Sequence, residues 1–251
     1  GLAIQRAAAE SAVKHVSLEL GGKNPFIVFP DADLDRVVEM AVAGMNFSWA
    51  GQSCGSTSRL LLHADIHDEI VERVAERMRA LRVGDPLDPA SEMGPVNSSK
   101  QFERMQGFIA EAAAQGARLV TGGTRPSGTM FAQGYWLEPT LYADVTQEMR
   151  VVREEIFGPI VCAQRWHRES EVIELANDSP YGLTAAVWTR DLATGLRMTR
   201  AIEAGTVWLN TAGQHFVGAP FGGWKDSGLG GEECLEELYS YSRLKAVHVP
   251  A

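Results

Sequence analysis

The feature that most constrains this chain is a hydrophobic period that switches repeatedly between two and 3.6 residues, the mark of strands alternating with helices. Residues 16–20 alternate in strand fashion and stop at Gly21 and Gly22, and residues 26–29 form a short apolar run. Residues 33–47 then set Leu34, Val37, Val38, Ala41 and Met45 at helical spacing, with Asp31 or Asp33 at the cap. The run RLLLH at 59–63 reads as a strand, and residues 65–81 put Ile66, Ile70, Val74, Met78 and Leu81 on one helix face. After a Gly/Pro/Asp-rich loop at 84–95, the pattern predicts a helix over 99–115 and a strand over 118–121. Strands at 160–161, 184–188 and 206–210 are separated by helices at 170–179 and 192–202. Alternation of this kind predicts an α/β fold whose sheet is covered by helices on both faces.

The two ends depart from the pattern. Residues 2–14 are Ala-rich and helix-prone but have no capping residue, so this helix is expected to begin in mid-element. Residues 218–231 are so dense in glycine that irregular backbone is expected. A helical stretch follows, and residues 243–249 read as a terminal strand. Such a strand has few partners in its own sheet and is expected to pair with another subunit.

Composition removes several function classes. With 251 residues and a net charge of −9, the chain has no Lys/Arg run, so a nucleic-acid partner is not expected. No apolar stretch approaches the ~20 residues that span a bilayer, and the first ten residues lack a signal-peptide pattern. Three widely spaced cysteines, Cys54, Cys162 and Cys234, argue against a disulfide framework and for a reducing compartment, by default the cytoplasm. Neither they nor the six histidines have metal-ligand spacing.

Three residues invite a chemical reading, each with a plainer alternative. Cys54, in GQSCGSTSR, lies in a turn rich in backbone N–H donors, a setting that lowers a thiol's pKa; a lone cysteine is equally a small buried apolar residue. Glu19, in LELGGKNP, ends an apolar strand before two glycines, which suits a general base of raised pKa; alternatively it is an edge-strand surface residue. Glu155, in REEIFGP, precedes an apolar turn and reads as a loop ion-pair residue when taken alone. No strand–GxGxxG–helix phosphate loop or HExxH is present.

In combination, LELGGKNP, then GQSCGSTSR thirty-five residues on, then EEIFGP and PFGGWKDSG resemble the aldehyde dehydrogenase superfamily in order and spacing, from Gly1 to the final strand. The resemblance implies oxidation of an aldehyde to the carboxylic acid with NAD or NADP. Cys54 would be the nucleophile, passing through a thiohemiacetal and a thioester, and Glu19 would be the base that releases the acid. It implies that the backbone N–H of Cys54 supplies half of an oxyanion hole. Leu20, Gly21, Gln101, Arg104, Glu155 and Phe157 would contact the cofactor, with Arg104 standing where the family more often has Lys. Phe221 and Trp49 would line the aldehyde pocket, and with Phe216 they suggest an aromatic or quaternary-ammonium aldehyde. Glu232 matches a relay glutamate, although Gly231 replaces the Arg that often precedes it.

Family members are about twice this length and carry their cofactor domain mostly before this region. The resemblance therefore divides the chain into a helix–strand remnant of that domain (1–20), a catalytic domain of the aldehyde dehydrogenase type (21–226) and a tail with an oligomerisation strand (227–251). A homodimer or homotetramer is expected. For the isolated chain two alternatives stand beside dehydrogenation: weak esterolysis through Cys54 and Glu19, or a structural, oligomerising role alone. The face that gathers Glu19, Cys54 and Glu155 is expected to be unusually exposed or covered by a neighbouring subunit.

Overall fold

The computed structural model describes residues 1–250; the last residue of the 227–251 tail lies outside them. The chain runs through α1 (Leu2–Ser11), β1 (Leu18–Glu19), β2 (Pro25–Val28), α2 (Leu34–Ala43), β3 (Arg59–His63), α3 (His67–Arg79), α4 (Ser99–Ala114), β4 (Arg118–Thr121) and β5 (Thr140–Ala143). It continues with α5 (Arg150–Arg153), β6 (Ile160–Trp166), α6 (Glu169–Asn177), β7 (Tyr181–Gly182), β8 (Thr184–Trp188), α7 (Leu192–Ala201) and β9 (Thr206–Leu209). The end holds β10 (Trp224–Lys225), β11 (Gly228–Leu229) and α8 (Leu235–Ser240).

Seven strands form one sheet in the order β4-β5-β6-β3-β2-β8-β9, parallel except for the β4–β5 pair at one edge. The central strands are apolar throughout because both faces are covered, as expected of a parallel sheet. On one face Phe26, Val28, Leu60 and Leu62 pack with α2 and α3 through Val37, Val38, Ala41, Ile70, Val74 and Met78. On the other, Ile27, Leu61 and Val187 pack with α6 and α7, while Tyr142, Ile160 and Cys162 pack with α4 and α5. This is the three-layer α/β/α arrangement, and its helix starts are chemically defined. The Asp33 carboxylate accepts from the Arg36 N–H, and Asp191 accepts from the Ala193 and Thr194 N–H groups. Asp31 instead ties the β8–α7 turn, accepting from the Thr189 hydroxyl and the N–H groups of Arg190 and Asp191.

Several expectations need correction. The glycine-dense stretch holds two short strands: β10 pairs with β7, and β11 pairs with β1, which joins the two ends of the chain. The 226/227 division falls between these strands, where Ser227 is buried and its hydroxyl oxygen accepts from the Gly182 N–H. β5 was not expected from the pattern, and β6 runs seven residues, not two, because its Trp166 end is also buried. Residues 243–249 are exposed and pair with no strand among the described residues. No helix among the described residues is long and apolar enough to cross a membrane.

Arg59, at the start of β3, is 1% exposed. Its guanidinium donates to Lys23 O at 2.8 Å and to Leu175 O and Ala176 O, both at 2.9 Å, thus closing the C-terminus of α6, where a cation is favoured. Burial lowers its pKa to about 10, so it stays charged at neutral pH. Arg59→Met should lower unfolding stability by about 3 kcal/mol or more, since three buried carbonyls lose their donor. The urea midpoint should fall with little change in slope.

Candidate active site

The motifs of the sequence converge at the amino ends of neighbouring strands. Gly21 and Gly22 precede β2, Cys54 precedes β3, and the Glu155–Gly158 turn precedes β6. In open α/β sheets ligands more often sit at the carboxyl ends. From Cys54 the chain passes directly into β3.

One buried side chain that sequence reasoning missed holds this end together. Asn24 donates from Nδ2 to Cys54 O at 2.7 Å and to Ser56 O at 2.9 Å, and its Oδ1 accepts from the Thr184 N–H at 3.1 Å. Its place after the LGGK turn and before an apolar strand was the available signal, since a buried amide must find partners for all its groups. Gly22 allows the approach: a Cβ there would lie 2.6 Å from Cys54 O.

Cys54 is half-buried, and the dipoles of the Gly55 and Cys54 backbone N–H groups act on its thiol. These donors favour the thiolate, but burial outweighs them, and the nearby carboxylates of Glu19 and Glu155 add to it. The thiol pKa is therefore raised. This corrects the expectation that the turn lowers it: a few dipoles lose to desolvation plus two like charges.

Glu19 is half-buried, yet both its carboxyl oxygens are out of contact with water and bond to no donor among the described residues. Burial first, then the charges of Glu232 and Glu233, push its pKa up to about 7. Glu155 is anchored differently. Its Oε1 accepts from the Gly22 N–H at 3.0 Å, and its carboxyl presses on Gly21, where a Cβ would lie 2.2 Å from Oε2. Its bonded partner is thus a backbone amide, not a cation, and burial leads its raised pKa.

Gln101 and Arg104 serve the turn that carries Glu155. Gln101 Nε2 donates to Ile156 O and Phe157 O at 2.6 and 2.9 Å, and the Arg104 guanidinium donates to Glu155 O at 2.7 Å and Ile156 O at 3.3 Å. Their donors are engaged with the loop backbone, which holds Phe157 at a positive φ of 59°. Met105 packs under the same turn, so close to Gly158 that a Cβ would meet its methyl group at 2.1 Å. Leu20 donates its N–H to Ser227 O at 2.9 Å. Among the expected pocket aromatics, Phe221 is 8% exposed and approaches Gly55, its Cζ 4.0 Å from where a Cβ would be. Trp49 and Phe216 stand outward, 63% and 59% exposed. Glu232 exchanges backbone hydrogen bonds with Phe221 and acts on Glu19 through its charge. Cys54, Glu19 and Glu155 are each half-buried.

The family model described as the aldehyde dehydrogenase family matches residues 1–247. The chain belongs to the aldehyde dehydrogenase family. It is 50% identical over 245 residues to aldehyde dehydrogenase tropH of Talaromyces stipitatus, covering 96% of this chain and 48% of that protein. A betaine aldehyde dehydrogenase of Mesorhizobium japonicum is 44% identical over 241 residues, covering 96% of this chain and 49% of the relative. Among solved structures, a Staphylococcus aureus betaine aldehyde dehydrogenase in complex with NAD+ superimposes with a TM-score of 0.92 at 39% identity, covering 96% of this chain and 47% of that one. The NAD+ complex of a Bacillus cereus aldehyde dehydrogenase gives 0.93 at 39% identity, with coverage of 98% and 49%. The chain thus spans about half the length of the relatives it matches.

The buried carboxyl of Glu19 has a consequence for stability. With a folded-state pKa near 7 against an ordinary value of 4.5, the native state holds more protons than the unfolded one. Stability is therefore lost as pH rises through that window. Glu19→Gln, which keeps the shape without the charge, should raise the Tm measured at about pH 8 by roughly 2–4 °C, and should leave it nearly unchanged at about pH 4, where both forms are neutral.

Proposed function

We propose that this chain is the catalytic part of an NAD(P)-dependent aldehyde dehydrogenase that oxidises an aldehyde to its carboxylic acid, with Cys54 as nucleophile and Glu19 as general base. The observation that carries the reading is a half-buried thiol beside a carboxyl that is raised to about 7 and bonds to no donor among the described residues.

In this reading Glu19, ionised above its pKa, takes the thiol proton directly or through a water, and the Cys54 sulfur attacks the aldehyde carbon. A C–S bond forms, and the carbonyl oxygen becomes an alkoxide held by the Cys54 N–H, which donates to no backbone carbonyl. A bound nicotinamide supplies the acceptor for the hydride that leaves this carbon, so that the C=O bond re-forms as a Cys54 thioester. Once Glu19 has passed the thiol proton to solvent, it takes a proton from water, whose oxygen attacks the thioester; the C–S bond then breaks, releasing the acid and leaving Cys54 as the thiolate.

The residues on this face fit the nicotinamide–ribose end of the cofactor. Glu155, Leu20, Gly21 and Phe157 would hold it: the carboxylate of Glu155 is fixed at one oxygen by Gly22, which leaves acceptor capacity for ribose hydroxyls. Gln101 and Arg104 support this indirectly, by bracing the turn that carries Glu155 and Phe157. Phe221 would form the inner wall of the aldehyde pocket, and Glu232 would tune Glu19 by charge. Trp49, standing outward, has only the family resemblance in its favour.

A second reading concerns this chain by itself. It spans about half its relatives' length, and ester hydrolysis requires only Cys54 and Glu19. Exposed Leu235, Leu238, Tyr239, Leu244, Val247 and Val249 in the tail support assembly with a second copy, as a homodimer or homotetramer. Three free cysteines support a cytoplasmic setting.

NADH formation followed at 340 nm, with NAD and a panel of aldehydes, tests the reading when Cys54→Ser serves as control; turnover that survives this substitution would refute it. Hydrolysis of p-nitrophenyl acetate by the chain gives a pH test. The deacylation rate should rise with pH to a plateau, with a midpoint about 7, because the base works only when ionised. It should fall by about 10²-fold or more in Glu19→Gln. A flat profile in the unaltered chain would remove Glu19 as the base.

A further inference from the structure

We propose that His215, oriented by Glu233, selects the aldehyde: it favours a flat aromatic aldehyde that carries a hydroxyl donor away from the reacting carbon. The inference rests on the dehydrogenase reading, in which Cys54 receives the aldehyde, and it goes further by naming the substrate class.

The segment before Phe221 is tied down on both sides. The Trp208 indole N–H donates to Gln214 O at 2.8 Å, and the Gly218 N–H donates to Glu233 O at 2.8 Å. Phe221 and Glu232 exchange two backbone hydrogen bonds, and the Glu233 N–H donates to Glu237 Oε2 at 2.6 Å. Glu233 has a positive φ of 64°, an uncommon conformation for a residue with a side chain, and its carboxylate reaches back to His215. The imidazole lies 4.6 Å from the Phe221 ring at an interplanar angle of 32°. Phe221 in turn faces Gly55, the residue after the nucleophile, its Cζ 4.0 Å from where a Cβ would be. The His215–Phe221 ring pair therefore lies on the side of the Cys54 loop.

Phe221 is almost fully buried, whereas the His215 side chain is 46% exposed. The group that this wall presents to an entering molecule is thus the imidazole. Glu233 Oε1 lies 2.7 Å from His215 Nδ1, and a carboxylate only accepts, so Nδ1 carries the proton. In the neutral ring Nε2 is then a hydrogen-bond acceptor, and no group among the described residues bonds to it. A flat ring extends the stack, and a hydroxyl on that ring supplies the donor that Nε2 lacks. A permethylated ammonium meets neither requirement. It has no N–H to donate, and the face of Phe221 that would attract it is covered by His215.

The test needs no cofactor. An aldehyde that forms a thiohemiacetal with Cys54 slows its alkylation by iodoacetamide, and the concentration for half protection reports affinity. The probes are 4-hydroxybenzaldehyde, benzaldehyde and trimethylammonio-acetaldehyde. The preference for 4-hydroxybenzaldehyde over benzaldehyde should be roughly fivefold greater in the unaltered chain than in His215→Phe, which keeps the stack and removes the acceptor. Taking the ratio between proteins cancels the intrinsic reactivity of the two aldehydes. Glu233→Gln leaves both rings but releases the tautomer, and it should reduce the preference as well. An equal preference in all three proteins overturns the proposal, as does strongest protection by the trimethylammonio compound. If no aldehyde protects Cys54 in the unaltered chain, the nucleophile assignment itself falls and this inference falls with it, a pattern distinct from equal preferences.

Discussion

The arrangement of this site depends on one buried amide. Asn24 bonds at once to two carbonyls of the Cys54 loop and to the first N–H of β8, so it fastens that loop to two central strands. In an apolar sheet end such groups cannot be left to water, and each would be costly to bury alone. The same amide sets how far Cys54 stands from Gly22, and through Gly22 how Glu155 is held. Cys54 and Glu155 are thereby placed relative to each other by one buried amide.

Around that anchor the electrostatics are arranged against ionisation. Cys54, Glu19 and Glu155 all have raised pKa values, and burial is the leading cause in each case. Three acidic groups close together cannot all be charged cheaply, so each raises the cost of ionising the others. Lys23, fully buried and without a hydrogen-bond partner, adds positive charge that acts on Glu155; burial lowers its own pKa to about 8. Such a site is poised for proton transfer near neutrality, at some expense in stability, a common trade in catalytic centres.

Much of this was legible in the sequence. The α2, α3, α4 and α7 helices follow their apolar stripes, and β3 coincides with RLLLH because a strand buried on both faces is a short unbroken apolar run. The four motifs named the family and singled out Cys54, Glu19 and Glu155. Less was visible where backbone contacts decide. β10 and β11 lie in a glycine-rich stretch with no strand pattern, since they exist through pairing with β7 and β1. Gln101 and Arg104 were expected to face the cofactor, but whether a long polar side chain points outward or down onto a neighbouring turn depends on that turn's carbonyls, which lie more than fifty residues away.

By itself the sequence determined the fold class, the order of most elements and the family, because hydrophobic period and motif spacing are local properties carried by nearby residues. Only the tertiary structure decided the direction of the Cys54 pKa, the loss of donors from Glu19, the placing of the site at the amino ends of the strands and the His215–Glu233 pair over Phe221. These depend on distances between groups far apart in the chain and on the exclusion of water, and desolvation is set by everything that packs around a group rather than by the group itself.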